Sequence, residues 1–352
     1  MPPKRKAAAS TSKPKPDEDA VDDTCADKED TVDSPLTEQD SDSEKPKAKK
    51  AKKAKEPVQP LDKTLPTNLT VPDPLDAFPR PEEGRIRISS WNVAGLRASE
   101  KKGFSRYVKA EDADILVVTE TKTPEIKLDS LDSRYEYRYW GNSNKKGHGG
   151  TAIFSKIKPL SVSYGMDGGR DVAKAETEGR MVTLEFENSF VVGTYVPNAG
   201  AALKTLDAKK AWNRAFERYL RELNAKKPVI WCGDLNSVRT EKDIRNWKTN
   251  YNKSAGCTDA EIDALNAQLD PPEDSGHKKL VDVWRHLHPD VEGQYTYQSY
   301  KFQCRSKGIG WRLDYFCVSD QLMEKVKMCE MRHEIYGASD HIPLVLEIEG
   351  PL

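Results

Sequence analysis

Four stretches place acidic, amide and imidazole groups beside apolar runs: Ser90-Trp91-Asn92, Thr119-Glu120-Thr121-Lys122, Gly233-Asp234-Leu235-Asn236 and Ser339-Asp340-His341. Glu120, Asp234, Asp314 and Asp340 are hard oxygen donors, which select magnesium, calcium or manganese over zinc. His341 directly follows an acid, and Asp314 could orient it, as carboxylates orient catalytic histidines. Asp234 could take a proton from water, and Asn236 could hold that water. A divalent cation and an imidazolium would stabilise a phosphorane-like transition state. Together these groups specify metal-assisted phosphoester hydrolysis. Singly, each has a blander explanation. Gly-Asp-x-Asn commonly closes an Asx turn, Ser-Asp-His is a frequent turn, and Asp314 could be a satisfied buried carboxylate. Tyr297 and Trp311 could be ordinary core.

Positioning four such stretches requires strands that end at one place. Pro228-Val229-Ile230 leads into Trp231-Cys232-Gly233-Asp234 and reads as a buried strand. Residues i and i+2 of an extended segment share a face, so Asp234 and Asn236 should point the same way. Arg85 to Ser89 alternates polar and apolar and should deliver Asn92, while Asp114 to Val118 should end at Glu120. Further strands are expected at 149–154, 181–186, 190–195, 295–297, 311–318 and 342–348. Helices are expected at 102–109, 206–223, 259–269 and 280–286. The 206–223 helix carries an apolar stripe of Leu206, Trp212, Phe216, Leu220 and Leu223. Short strands interleaved with a few helices indicate one α/β domain.

The chain has 352 residues and a formal net charge of −1, so any attraction to nucleic acid must come from a local patch. Its six cysteines form no CxxC pair, which excludes the common zinc modules and suits reduced intracellular thiols. No apolar run approaches the roughly 20 residues of a membrane span. The chain contains no P-loop, HExxH or GxSxG, which argues against nucleoside triphosphatase, zincin and serine hydrolase chemistry. Residues 1–80 read as a disordered tail nearly free of large apolar side chains. In it, Lys4-Arg5-Lys6 and the basic run from Lys45 to Lys55 flank an acidic segment, Asp17 to Glu44. The basic clusters resemble nuclear import signals or nonspecific nucleic-acid grips. Residues 81–352 read as the folded domain.

In order along the folded part come Ser90-Trp91-Asn92-Val93-Ala94-Gly95-Leu96-Arg97, Glu120-Thr121-Lys122 and Tyr195-Val196-Pro197-Asn198-Ala199-Gly200. Gly233-Asp234-Leu235-Asn236, Gly310-Trp311-Arg312-Leu313-Asp314-Tyr315 and Ser339-Asp340-His341 follow. Together they resemble the exonuclease III family of AP endonucleases. The resemblance implies a two-sheet α/β sandwich flanked by helices, of the DNase I-like kind. It also implies Mg2+-dependent hydrolysis (Mn2+ as substitute) of the phosphodiester 5′ to an abasic site in double-stranded DNA.

By position, Glu120 and Asp340 resemble the metal ligands, with Asn92 beside them. Asp234 resembles the water activator and Asn236 its partner. Tyr195 and Asn198 resemble phosphate contacts, and His341 and Asp314 the family's His–Asp pair. Tyr297, Trp311 and Leu313 match the apolar slot for the baseless sugar. Arg97, Lys102, Lys122, Gly147, Asn246, Asn250 and Lys307 fall where contacts to the DNA backbone are expected. The resemblance further implies a monomer in the nucleus, working with base excision repair proteins and an import receptor that reads the tail. Departures are Ala94 for an acidic or amide residue near the metal, and Ala201 for an inserting arginine. Lys301 replaces an apolar wedge, His148 a tyrosine and Ser89 a cysteine. The alternatives are another phosphoesterase of the same superfamily, or a DNA-binding scaffold with weakened catalysis.

Overall fold

A computed structural model describes residues 65–143, 147–167 and 172–352. The expected disorder of the tail and its basic clusters therefore lie outside the described residues, apart from 65–80. Among the described residues, twelve strands form two six-stranded sheets. The first contains β1 (Arg85–Asn92), β2 (Ile115–Thr119), β3 (Tyr137–Gly141), β4 (Thr151–Ser155), β11 (Val326–Met331) and β12 (Leu344–Glu349), in the order β11-β12-β1-β2-β4-β3. The second contains β5 (Ser161–Tyr164), β6 (Met181–Glu185), β7 (Phe190–Tyr195), β8 (Val229–Asp234), β9 (Leu280–Asp282) and β10 (Asp314–Ser319), in the order β5-β6-β7-β8-β10-β9. Each sheet has one parallel pair at its centre, β1 with β2 and β7 with β8, and antiparallel partners outside it.

The helices are α1 (Leu96–Lys101), α2 (Phe104–Glu111), α3 (Asp129–Asp132), α4 (Lys174–Thr177), α5 (Leu206–Lys226), α6 (Trp247–Asn250), α7 (Asp259–Leu269) and α8 (Val283–Leu287). The stripe on α5 packs on the outer face of the second sheet, where Trp212 and Phe216 meet Trp231, Tyr315 and Cys317. Phe104, Tyr107 and Val108 of α2 cover Trp91, Leu116 and Val118 on the outer face of the first.

Between the sheets lie Ile88, Ile115, Val117 and Ile153 from one side, and Val191, Ile230, Cys232, Phe316 and Val318 from the other. Alternation along a strand gives every second residue to this layer. Asn92, Asp234 and Asp314 share the parity of Ile88, Cys232 and Phe316. The polar site is thus the last inward-facing row, where the apolar layer between the sheets runs out. The sheets approach closely at Gly193, where an added Cβ would lie 2.6 Å from Val117 Cγ1.

Besides β9, three strands were not legible as such: β3, β5 and β11. All three border their sheets and carry mainly exposed or half-buried residues, so no apolar run marks them. The helix expected at 280–286 begins only at Val283. Leu280–Asp282 instead pairs with β10, and Asp282 caps α8 by accepting from the Arg285 N–H. The 295–297 stretch makes only isolated bridges, Tyr297 with Trp311 and with His341.

The expected boundary at residue 80 also moves. Residues 66–80 lie along the domain, with Val71 fully buried beside Trp91 and Phe104. Val71 N–H donates to the Lys102 carbonyl at 2.8 Å, and Phe78 N–H to that of Ala110 at 3.0 Å. Arg305 Nε donates to the Pro66 carbonyl at 2.8 Å. One valine and one phenylalanine in a Pro-rich stretch are too sparse to show a periodicity, which is why the sequence conceals this strap.

Candidate active site

Asp234 ends β8. In register it lies opposite Asp314 on β10 and beside Tyr195 on β7. Gly233 brings it there: its φ is +131°, and a Cβ would strike the Thr194 carbonyl oxygen at 1.9 Å. Beyond the strand, Asn236 takes a left-handed backbone with φ 48°. The two side chains therefore do not share a face as extended residues. They meet through bonds instead: Asn236 N–H donates to Asp234 Oδ1 at 2.8 Å and its Nδ2 to Oδ2 at 3.2 Å. The bland Asx-turn reading and the functional one describe the same geometry. Asn236 Oδ1 accepts from Asn198 Nδ2 at 3.0 Å, which ties in the 195–200 stretch.

Asn92 joins the sheets. Its Nδ2 donates to Glu120 Oε1 at 2.8 Å and to Asp234 Oδ2 at 2.9 Å, while its Oδ1 accepts from Ala94 N–H at 2.9 Å. Expected beside a metal, Asn92 thus has both ends of its amide engaged within the protein and acts as a spacer between two carboxylates. Ala94, Glu120, Lys122 and Asn236 all have positive φ, between 48° and 51°. Such strain in non-glycine residues concentrates at functional sites.

His341 Nδ1 lies 2.7 Å from Asp314 Oδ2, with both residues buried. Ser339 Oγ donates to the Asn92 carbonyl at 2.7 Å and accepts from His341 N–H at 3.1 Å. Trp91 Nε1 donates to the His341 carbonyl at 3.0 Å. Thr296 Oγ1 accepts from the N–H groups of both Leu313 and Asp314, at 2.9 and 3.0 Å. Thr296 was invisible in the sequence, and so were the bonds that Ser339 makes, because nothing local distinguishes a serine or threonine that bonds a distant strand.

The electrostatics divide the labour. Burial works against charge on His341, but Asp314, with Asp234 and Asp340 beyond it, raises the imidazole to about 10. Burial also pushes the Asp234 carboxyl up to about 7, reinforced by Asp314 and Glu120 and opposed by the His341 charge. Burial would raise Glu120 too, but Lys122 Nζ, 2.8 Å from its Oε2, and the Asn92 amide hold it below the usual range. Asp340 is raised by burial and then by the facing Glu120 charge. Tyr195 lies within hydrogen-bond reach of Glu120, and burial keeps its phenol protonated. Arg180 covers its ring at 5.1 Å.

The donors fit a hard divalent cation. Glu120 and Asp340 crowd negative charge together, and the Lys122 ammonium stands at Glu120 as a cation already does there. Among the described residues no cage of three or more His, Cys, Asp or Glu exists.

Beside the hydrolytic groups, the Tyr297 ring lies 4.9 Å from that of His341. Tyr297, Leu313 and Trp311 pack with Val238, Ile244 and Cys257 into a separate apolar cluster. Arg312, between two of these residues in sequence, is fully buried and points the other way. Its Nε donates to Asp243 at 2.8 Å and its Nη atoms to Asp282 at 3.0 and 2.6 Å.

Arg97, Lys307 and Gly147 are exposed. Lys102 lies over the Tyr300 ring at 4.6 Å. Lys122, expected at the DNA backbone, is ion-paired to Glu120 at 2.8 Å. Asn246 occupies the N-cap position of α6 without a capping side-chain bond, and Asn250 is buried, donating to the Asn246 carbonyl at 2.8 Å and accepting from Ser254 at 2.8 Å. Asn250 therefore shapes its own turn.

Residues 89–341 match the Endonuclease/Exonuclease/phosphatase family. A DNA-(apurinic or apyrimidinic site) endonuclease from Dictyostelium discoideum is 42% identical over 275 residues, 77% of this chain and 73% of that protein. An exodeoxyribonuclease from Bacillus subtilis is 42% identical over 264 residues, 75% of this chain and 99% of that protein. The structure of an AP endonuclease from Archaeoglobus fulgidus superimposes with a TM-score of 0.64 at 25% identity, over 75% of this chain and 100% of that one. With its two sheets meeting at a carboxylate–histidine site, the chain belongs to the endonuclease/exonuclease/phosphatase family, on the branch of the exonuclease III-type AP endonucleases, and is a hydrolytic enzyme.

Proposed function

We propose that the protein hydrolyses the phosphodiester 5′ to an abasic site in double-stranded DNA. It leaves a 3′-OH and a 5′-deoxyribose phosphate, as the incision step of base excision repair. Asp234, poised near neutrality, accepts the proton of the attacking water, the best position for a base working near pH 7. Asn236 and Asn92 fix the carboxylate through four donated bonds in all, two of them from each residue, and three of the four reach Asp234. The His341 imidazolium, oriented by Asp314, stabilises the charge that develops on phosphate. Tyr195 and Asn198 donate to phosphate oxygens. Glu120 and Asp340 would hold Mg2+, or Mn2+ in its place, and the bound ion supplies Lewis-acid neutralisation of the phosphate.

The observation that carries this reading is the Tyr297–His341 contact. The apolar slot shares a wall with the hydrolytic group, so a sugar without its base would be seated against the scissile bond. Exposed Arg97 and Lys307 suit the DNA backbone, and 3′-exonuclease or 3′-phosphodiesterase action would use the same groups on a strand end. The basic clusters of the tail suit a nuclear import receptor, a nuclear location and work alongside other repair proteins, with the catalytic domain acting as a monomer. In domain terms, residues 1 to about 65 are the tail and the rest is the catalytic unit.

A duplex oligonucleotide bearing one tetrahydrofuran site tests the reading, with Mg2+ and with chelator. Cutting 5′ to that site only with metal is expected. Equal cutting of the intact duplex, or none of either, defeats it.

A further inference from the structure

Lys209, in the first turns of α5, has only 1% of its side chain exposed, and so does its partner Glu261 on α7. Lysine and glutamate are almost never buried so fully without a reason. Removing two charges from water costs energy that apolar packing would not, and α5 and α7 are already joined through Trp212, Leu265 and Leu269. The ion pair is therefore not needed to hold the helices together.

Its bonds lead to the site. Lys209 Nζ donates to Glu261 Oε1 at 2.7 Å and to the backbone carbonyl of Asn236 at 2.5 Å. Asn236 is the left-handed residue that grips Asp234. A non-glycine residue in that conformation costs about 1–2 kcal/mol and persists only where its surroundings over-determine it. A buried ammonium on its carbonyl is such a constraint. From the other side, Glu261 accepts from Gly256 N–H at 2.9 and 2.8 Å and from Thr258 Oγ1 at 2.8 Å. An added Cβ at Gly256 would lie 3.1 Å from the Asn236 oxygen and 3.5 Å from Trp311.

We propose that the buried Lys209–Glu261 pair is the positioning device of this active site, setting the Asp234–Asn236 geometry and linking it to the Trp311 wall of the sugar slot. Lys209 touches neither phosphate nor sugar. It acts through the Asn236 carbonyl, and Glu261 carries the same constraint to the turn beneath Trp311. The inference rests on the hydrolytic reading of Asp234 given above.

Three variants test it: Lys209→Met, Lys209→Arg, and Lys209→Met with Glu261→Leu. Single-turnover incision of the tetrahydrofuran duplex, its binding in chelator, and amide hydrogen exchange across 234–238 are measured for each. Lys209→Met should cut about 100-fold more slowly, the scale of a small misplacement of a reacting group, while binding stays within about threefold. Exchange across 234–238 should quicken. Lys209→Arg, which still donates to the carbonyl, should restore both readouts. The double variant removes both buried charges and should fold even where the single one does not, yet remain slow. A double variant that cuts like the wild type, or unchanged exchange across 234–238, overturns the proposal. A wild type that fails to cut the duplex defeats the abasic-site reading, and the exchange measurement then still decides the positioning role.

Discussion

Replacing Arg312 by methionine isolates the value of a buried charge that does no chemistry. Methionine keeps most of the stem and fits between the rings that the guanidinium covers, Tyr315 at 4.1 Å and Trp284 at 5.6 Å. Lost are three charged hydrogen bonds in a site with 0% exposure. Asp243 keeps Arg285 at 2.7 Å and the Thr240 donors at 3.0 Å. Asp282 keeps the Arg285 N–H at 3.3 Å, so it is the poorly compensated carboxylate. Stranding one member of a buried pair costs about 3–5 kcal/mol, a large part of the roughly 5–15 kcal/mol that holds a domain folded.

The pH dependence fixes the cause. In the wild type, burial would raise Asp243, but Arg312 and Arg285 outweigh it and hold its carboxyl well below the usual range. A depressed carboxyl contributes stability above its unfolded pKa, about 3.9, which is lost as pH falls through the folded value. In Arg312→Met, the remaining Arg285 no longer outweighs burial, and the Asp243 carboxyl rises above the unfolded value instead. The folded state then binds more protons than the unfolded one, so the variant gains stability as pH falls from about 7.5 to about 5. Urea unfolding at both pH values should show the deficit shrinking on acidification, and adding Asp282→Asn should recover part of it at neutral pH. A deficit below about 1 kcal/mol, or one independent of pH, would refute the reasoning.

Asp234→Asn should slow incision by about 10²–10⁴-fold with duplex binding retained, and the wild-type rate should rise with pH through about 7 as Asp234 loses its proton; a near-wild-type rate in the variant removes Asp234 as the base. Ala94→Asp should lower the Mg2+ concentration for half-maximal incision by about 10-fold or more, since aspartate tolerates the φ of 48° better than alanine; an unchanged midpoint in a Mg2+ titration means position 94 does not serve the metal. Val71→Ala should cost about 1–3 kcal/mol, and a chain starting at residue 81 should melt lower than one starting at 65; equal melting curves would show the strap to be passive. Trp311→Ala should weaken discrimination of abasic from intact duplex more than affinity for either, so equal losses on both substrates would make Trp311 ordinary core.

The strand ends were readable because apolar runs of β1, β2 and β8 stop at Asn92, Glu120 and Asp234. Alternation then says which way Asn92 and Asp234 point, while Glu120, left-handed and beyond the end of β2, falls outside that rule. The His341–Asp314 pairing was readable from residue chemistry combined with a family likeness. Lys209, Thr296, Ser339 and the Asp243–Arg312–Asp282 network were not readable. Each is defined by a partner many residues away, and a lysine in an amphipathic helix looks solvated until the packing buries it.

Asn92 belongs to the first sheet and Asp234 to the second, and one amide spans them at 2.9 Å. Sliding of about 1 Å between the layers would break that bond while leaving each sheet intact. Turnover is therefore a gauge of how the two layers are registered. The first sheet also takes β11 and β12 from the end of the chain, so a polypeptide divided after β4 splits the first sheet between the pieces, while all strands of the second stay in the C-terminal one. Two such fragments would have to rebuild the first sheet before Asn92 met Asp234. Recovered DNA cutting would then report on reassembly itself, which makes the fold a natural frame for a split-enzyme sensor.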